Sequence, residues 1–160
     1  MSLTIRDTID PTLRRAAQSL KDKRPLLEAM GLQLESLTKR SFNEPALRPI
    51  PWPAKSDGSP ARLRKNQLLV RSPRVSSVTQ STVTVSSDRP YAAIHQRGGI
   101  IRAKPGKSLA FEIGGRTIFA KKVTIPARPF FPFLGDKMTD IARQKIHAVG
   151  QAKLASLFKA

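Results

Sequence analysis

The stretch SLAFEIGGRTIFAKKVTI, residues 108 to 125, carries the strongest indication of the fold. Apolar residues recur in the runs on either side of Gly114-Gly115, and adjacent glycines suit the positive φ angles of a two-residue hairpin turn. The strand pattern ends at Pro126, which cannot donate a hydrogen bond to a neighbouring strand. We therefore predict a β-hairpin in this region, preceded by a flexible basic loop over 102–107.

A second hairpin is predicted upstream, where residues 74 to 87 read RVSSVTQSTVTVSS. This run is rich in β-branched residues, and its alternation changes phase near Thr79–Thr82, which indicates two strands joined by a tight turn. Between the hairpins, Pro90 to Gln96 predicts one helical turn that ends at Gly98-Gly99.

Helices are predicted on both sides of the hairpins. Asp10-Pro11 is a helix-start signal and predicts a short helix over 11–23. A second helix begins at Pro25 and runs to about Phe42, with apolar residues at three- and four-residue spacing. A last helix is predicted over 136–158. Its inward residues are Met138, Ile141, Ile146, Val149, Leu154 and Leu157. The pattern predicts an α+β fold: one domain over 1–160, with an antiparallel sheet of two hairpins between N-terminal helices and a long C-terminal helix.

The segment PALRPIPWPAKSDGSP, residues 45 to 60, predicts a long exposed loop because its prolines prevent regular structure. Trp52 lies inside it between two prolines. Two interpretations of Trp52 remain open: the ring packs back onto its own core, or it anchors a neighbouring subunit. The following residues, 61–70, predict a short basic helix.

The net charge of +18 on 160 residues is extreme, and residues 45–131 hold sixteen Lys and Arg against three acids. Such a surface attracts polyanions. It faces either DNA, without base specificity, or acidic neighbouring subunits. Our candidates for this contact are Arg62, Arg64, Lys65, Arg71 and Arg74. The chain has no cysteine, secretion signal or membrane-spanning run, so we expect it to be made and used in water, without contact to a membrane.

Residues suited to catalysis are few. His95 and His147 each lack a second ligand-type residue at metal spacing, and Glu112 is the one acid between Asp88 and Asp136. Residues 106–108 read Gly-Lys-Ser, but a phosphate-binding loop needs glycine at position 101, which is isoleucine. We therefore expect no enzymatic activity, no cofactor and no metal.

Two segments, read together, carry a family resemblance. Tyr91-Ala92-Ala93-Ile94-His95-Gln96-Arg97-Gly98-Gly99 is followed about 25 residues later by Ile125-Pro126-Ala127-Arg128-Pro129-Phe130-Phe131. Their order and spacing resemble the phage virion morphogenesis family of Mu-like and P2-like tailed phages, also called tail completion proteins. Upstream, residues 42–59 with Trp52 are similar to the family's tryptophan loop, except that Asp57-Gly58 here follows the tryptophan. The similarity covers roughly residues 25–155.

This resemblance implies a structural part of the virion at the top of the tail or in the neck, assembled in the bacterial cytoplasm. The implied partners are identical copies in a ring, a hexamer by the resemblance, and other neck and tail proteins. The candidate interface residues are Trp52, Tyr91, His95, Gly98, Gly99, Arg128, Pro129, Phe130 and Phe131. The phenylalanines either dock into a neighbour or close their own core, and His95 is either a structural histidine or an interface residue. The rival hypothesis is a free basic accessory protein that binds DNA regardless of sequence.

Overall fold

The computed structural model describes residues 14, 17, 18, 21–64 and 66–157. The first predicted helix, over 11–23, falls mostly outside these residues. Those of its residues that the structure describes before Asp22 are helical. Lys65 also lies outside the described residues.

Helix α1 spans Arg24–Arg40 and confirms the helix predicted to begin at Pro25. Proline occupies its first turn, where an N–H would have no intrahelical partner. The Asp22 carboxylate accepts hydrogen bonds from Nε and Nη2 of the Arg24 guanidinium and one from Arg24 N at 3.0 Å, and these bonds lower the pKa of Asp22 to about 2. Lys39 and Arg40 lie in the last turn, where positive charge suits the carbonyl end of a helix.

The remaining elements follow in chain order. They are a single 3-10 turn at Pro45–Leu47, α2 at Leu68–Arg71, β1 at Pro73–Val78, β2 at Val83–Ser87, α3 at Ala92–Arg97, β3 at Gly99–Arg102, β4 at Leu109–Ile113, β5 at Arg116–Ala120, β6 at Lys122–Ile125, β7 at Phe133–Leu134, β8 at Lys137–Met138, and α4 at Asp140–Leu157. The α+β class is confirmed. The two predicted hairpins do not share one sheet, however, because the described strands form four separate antiparallel pairs.

The predicted turn near Thr79–Thr82 is confirmed, and β1 and β2 form the hairpin around it. The register shifts between Val75 and Ser77, which places a bulge at Ser76. The bulge lets Val75 and Val78, an odd number of residues apart, lie on the same face, opposite Val85 and Val83. This hairpin packs on α1. Glu35 of α1 joins the two elements by accepting a hydrogen bond from Val75 N at 2.9 Å.

The second predicted hairpin is confirmed and is longer than expected. Strands β4 and β5 meet at Gly114-Gly115, where φ is +56° and +77°, as a turn with two positive φ angles requires. Strands β3 and β6 pair with each other on the side of this hairpin away from its tip. Between the two ladders, Ala103 N donates to Lys121 O at 2.8 Å. We call residues 99–125 the ribbon.

The ribbon corrects two expectations. The predicted strand over 116–125 is interrupted at Lys121. The predicted flexible loop contains instead the end of β3 and a hydrogen-bonded turn from Lys104 to Lys107. Pro105 and Gly106, with φ +73°, fill the two central positions of that turn, as a type II turn favours.

Two helix predictions also need correction. Helix α4 begins at Asp140 and not near Asp136, because β7 and β8 form a small hairpin around Gly135 and place Met138 on a strand. Ile141 is 39% exposed, whereas Ala142 and Ile146 are buried. In the segment 61–70 only its last residues are helical, since Leu63 and Gln67 have positive φ angles that an α-helix excludes.

Two hydrophobic clusters lie near the C-terminal end of α1. One contains Leu37, Leu47, Ala142 and Ile146, and joins α1 to α4. The other contains Phe42, Leu69, Ala92 and Phe130, with Trp52, Leu63, Val70 and Phe131 against it. No helix among the described residues is long and apolar enough to span a bilayer.

Candidate interaction site

The segment 126–133, which follows the ribbon, is built into the second cluster. The Phe130 side chain is fully buried, and its ring lies 5.2 Å from Phe42 and 5.0 Å from Phe131. Phe42 also meets Trp52 edge-on at 5.7 Å. Tilted and edge-on ring contacts of this kind stabilise beyond the area that they bury. The proline-aromatic segment is therefore a rigid wall of its own domain.

Gln96 on α3 holds this wall in place through both ends of its amide group. Its Oε1 accepts hydrogen bonds from Phe130 N and Phe131 N, each at 3.0 Å. Its Nε2 donates to Phe131 O at 3.4 Å and to Phe133 O at 3.3 Å. A segment interrupted by prolines cannot form a strand ladder, so these backbone groups need a side-chain partner.

The loop over 45–60 is fastened to the same wall. Trp52 Nε1 donates to Pro129 O at 2.8 Å, and the Arg48 guanidinium lies 3.8 Å from the Trp52 ring centroid. Arg128 is 8% exposed, and donates to Pro53 O at 2.9 Å and Ala54 O at 2.7 Å. Three long-range contacts thus hold a loop that has little regular structure of its own.

Gly98 sets the path between α3 and the ribbon. Its φ is +70°, and a Cβ atom there would lie 2.8 Å from Ala127 N and 3.0 Å from Ile125 O. The backbones at the two ends of the ribbon therefore approach one another more closely than any side chain permits.

An open cleft of about 1110 Å³ lies between residues 55–69, α3 and Arg128. Among the described residues, four cationic side chains and no acidic one line it. The cations are Lys55, Arg62, Arg64 and Arg128. Such a cleft attracts carboxylate or phosphate groups, although Lys55 also lies near the charge of Asp57.

Tyr91 and His95 form the opposite wall of the cleft, with their rings edge-on at 6.0 Å. Within the described structure, the buried atoms His95 Nδ1 and Arg64 Nε have no hydrogen-bond partner. Burial lowers the pKa of His95 below 6.5, and the nearby charge of Arg128 lowers it further. The imidazole is therefore neutral at pH 7, and the positive charge of the cleft comes from its lysine and arginines.

The structure brings together five residues that the sequence suggested separately: Tyr91, His95, Arg128, Arg62 and Arg64 all line the cleft. Two further candidates do not line the cleft: Arg71, which ends α2, and Arg74, which lies 3.4 Å from Asp88.

The open alternatives for the aromatic residues are narrowed. Pro129 and Phe130 are fully buried in their own chain, where Phe130 packs in the second cluster, and their interface roles stay predictions. Trp52 likewise packs on its own core. Interface roles for the partly exposed Phe131, Gly98 and Gly99 stay predictions.

Sequence reasoning missed three residues that build the site. Gln96 stood inside the motif without a role, and nothing near it in the sequence marks it as a brace. Arg48 was one cation among many, although its position four residues before Trp52 is compatible with stacking. Ser41 donates to Phe130 O at 2.6 Å across 89 residues, which no local pattern reveals.

Within the described residues, no three His, Cys, Asp or Glu side chains are grouped so as to hold a metal ion. Neither a curated protein nor a solved structure matches the chain significantly. The family model described as the phage virion morphogenesis family matches residues 6–154. This match covers both motif segments, the ribbon between them and the cleft, and so the chain belongs to the phage virion morphogenesis family.

Proposed function

We propose that this protein is a neck or tail-completion subunit whose copies form a ring, with a hexamer as the expected size, that joins the tail to the head connector around the DNA path. Membership of the phage virion morphogenesis family already implies a structural or assembly role in a virion. The observation that carries the finer proposal is the cation-lined cleft on a rigid proline-aromatic wall. A fixed wall lets the cleft bind a partner without first ordering its own residues.

The chemistry of the cleft favours an acidic segment of a neighbouring neck or tail protein. Copies that each carry a charge of +18 repel one another, so a ring of them is stabilised when acidic groups of a different protein lie between them. The exposed Arg62 and the partly buried Arg64 lie on the chain segment that forms one side of the cleft. The function is assembly and not turnover of a substrate, and it needs no cofactor.

The test is complementation of a phage that lacks this gene, followed by electron microscopy of the particles. We expect the deletion to yield heads and tails that remain separate, and the wild-type chain to restore joined particles containing the protein at the neck. The double variant Arg62→Ser/Arg64→Ser should restore few joined particles. Lys153→Ser, a charge change at an exposed position of α4, should restore them fully. Absence of the protein from purified joined particles would refute the proposal.

The second candidate is a free accessory protein that binds DNA regardless of sequence, which the charge of +18 favours. Such a protein binds duplex DNA near physiological salt as a monomer or dimer and is not retained in particles. A neck subunit is retained in the particle. Protein analysis of purified virions therefore separates the two.

A further inference from the structure

The ribbon over 99–125 is structurally set apart from the rest of the protein. Its four strands pair with one another, and no other helix or strand of the described structure makes an extended contact with any of them. The two ladders contain four and five residue pairs, which at about 3.3 Å per residue gives a length of roughly 30 Å. Isolated two-stranded ribbons are only marginally stable in water, so a projecting one indicates a binding partner.

The charge of the ribbon indicates what kind of partner it binds. Its 27 residues carry six cations against the single acid Glu112, and all six are exposed. They are Arg102, Lys104, Lys107, Arg116, Lys121 and Lys122. None of the six takes part in an ion pair among the described residues, whereas Arg24, Lys39, Arg40 and Arg143 elsewhere are paired with acids.

Five of the six cations lie around the junction of the two ladders, and the sixth lies nearer the tip. Arg102 and Lys122 are cross-strand neighbours at the junction end of the β3–β6 ladder, Lys121 comes next, and Lys104 and Lys107 bound the turn beside them, whereas Arg116 lies beside the tip. A cluster of positive charge with a further cation roughly 15 Å away toward the tip matches a partner with repeated negative charge along its length.

Exposed apolar side chains accompany these cations. Phe119 is 70% exposed because its cross-strand partner is the small Ala110, and Ile100 is 52% exposed on the same face as Arg102. Side chains of this kind pack against sugars and base edges inside a DNA groove or insert between base steps.

We propose that the ribbon binds double-stranded DNA in a groove, with its six cations on phosphates and Phe119 packed inside the groove. The major groove is wide enough for a two-stranded β-ribbon, and roughly 30 Å of ribbon compares with about one turn of the duplex. A second copy of this chain is the poorer partner, because it offers net positive charge and five of its nine acids among the described residues already lie in ion pairs. The contact is independent of base sequence.

Binding is tested with the full chain and a fluorescently labelled 24-base-pair duplex of mixed sequence, by anisotropy from 50 to 300 mM salt. The triple variant Lys104→Gln/Lys107→Gln/Lys122→Gln removes three ribbon charges. The matched control Lys137→Gln/Lys145→Gln/Lys153→Gln removes three exposed charges elsewhere. We expect the ribbon variant to bind at least about tenfold more weakly at 100 mM salt and to lower the salt slope by about 2 to 3, and the control to keep the slope.

Phe119→Ser should weaken binding with little change in the salt slope, since it removes a groove contact and no charge. Circular dichroism and Trp52 fluorescence of each variant identify any loss of folding. Equal weakening by the two triple variants would refute the proposal, because net charge alone would then drive binding. Absence of duplex binding at 50 mM salt would also refute it, as would a ribbon variant that changes only the oligomeric state. Because no ring is needed for this binding, failure of the ring proposal leaves the test valid.

Discussion

Replacing Gln96 by methionine tests whether one side chain holds the proline-aromatic wall. Methionine keeps the length and most of the volume of glutamine but offers neither the acceptor nor the donor of its amide. The change leaves Phe130 N and Phe131 N, each now bonded at 3.0 Å, without an acceptor in a segment packed around a fully buried ring. Each lost bond is worth about 1 kcal/mol, and each stranded buried N–H costs about 1–3 kcal/mol.

The longer bonds from Nε2 to Phe131 O and Phe133 O, at 3.4 and 3.3 Å, contribute less. We therefore expect Gln96→Met to lower the free energy of unfolding by about 2–4 kcal/mol. In a chain of this size that corresponds to a fall in Tm of roughly 5–15 °C.

The assay is urea denaturation followed both by far-ultraviolet circular dichroism and by tryptophan fluorescence. Trp52 is the only tryptophan, and its indole N–H bonds to Pro129 O, so its emission reports on the wall directly. The matched control is Gln144→Met on the exposed side of α4. A Gln96→Met loss within about 0.5 kcal/mol of the control would refute the bracing role, since surface substitutions normally fall in that range.

Three further predictions concern backbone space and proton binding. Gly31→Ala should destabilise by about 1–3 kcal/mol in urea denaturation, because its Cβ would lie 2.4 Å from Val83 Cγ2, and Val83→Ala in the same chain should recover most of the loss. Gly98→Ala should lower stability by more than about 2 kcal/mol in thermal denaturation, because its φ is +70° and its Cβ would lie 2.8 Å from Ala127 N. The pKa of His95 lies below 6.5 in the folded chain, so the unfolded state binds more protons as the pH falls through this range. The free energy of unfolding should therefore fall from pH 7.5 to 5.5 in urea denaturation, and His95→Gln should reduce this dependence.

Each of the three has an internal control. Helix propensity alone favours alanine over glycine by about 1 kcal/mol, so a neutral or stabilising result for Gly31→Ala would contradict the close packing. Gly135 has φ +63° but a Cβ there would meet no atom within 4 Å, so equal losses for Gly135→Ala and Gly98→Ala would show that the backbone contact is unimportant. A pH profile that His95→Gln leaves unchanged would assign the dependence to other groups.

Local patterns predicted the elements whose cause is local. The helix from Arg24 and the turn at Gly114-Gly115 follow from residues close together in the chain, and both are confirmed. The pairing of β3 with β6 was not predicted, because it depends on a turn at Pro105-Gly106 that interrupts the strand pattern. The late start of α4 has a similar cause, since Gly135 closes a small hairpin inside an apparently helical stretch.

The candidate site was predictable as a set of residues but not as an arrangement. Tyr91, His95 and Arg128 were selected from two segments, and the structure brings them to one cleft. The sequence could not show which of the Phe130 and Phe131 side chains is buried, because a run broken by prolines has no periodicity that assigns a face. The role of Gln96 depends on four backbone atoms more than 30 residues away, which only the folded chain brings near.

The setting apart of the ribbon also makes it a convenient place for engineering. Gly114 and Gly115 lie in open space at its far end, roughly 30 Å of paired strand from the nearest core residue. A short peptide tag inserted between them leaves both hydrophobic clusters and the cleft untouched. The same geometry lets related chains lengthen or shorten this element, and so alter its reach, without any compensating change in the body of the protein.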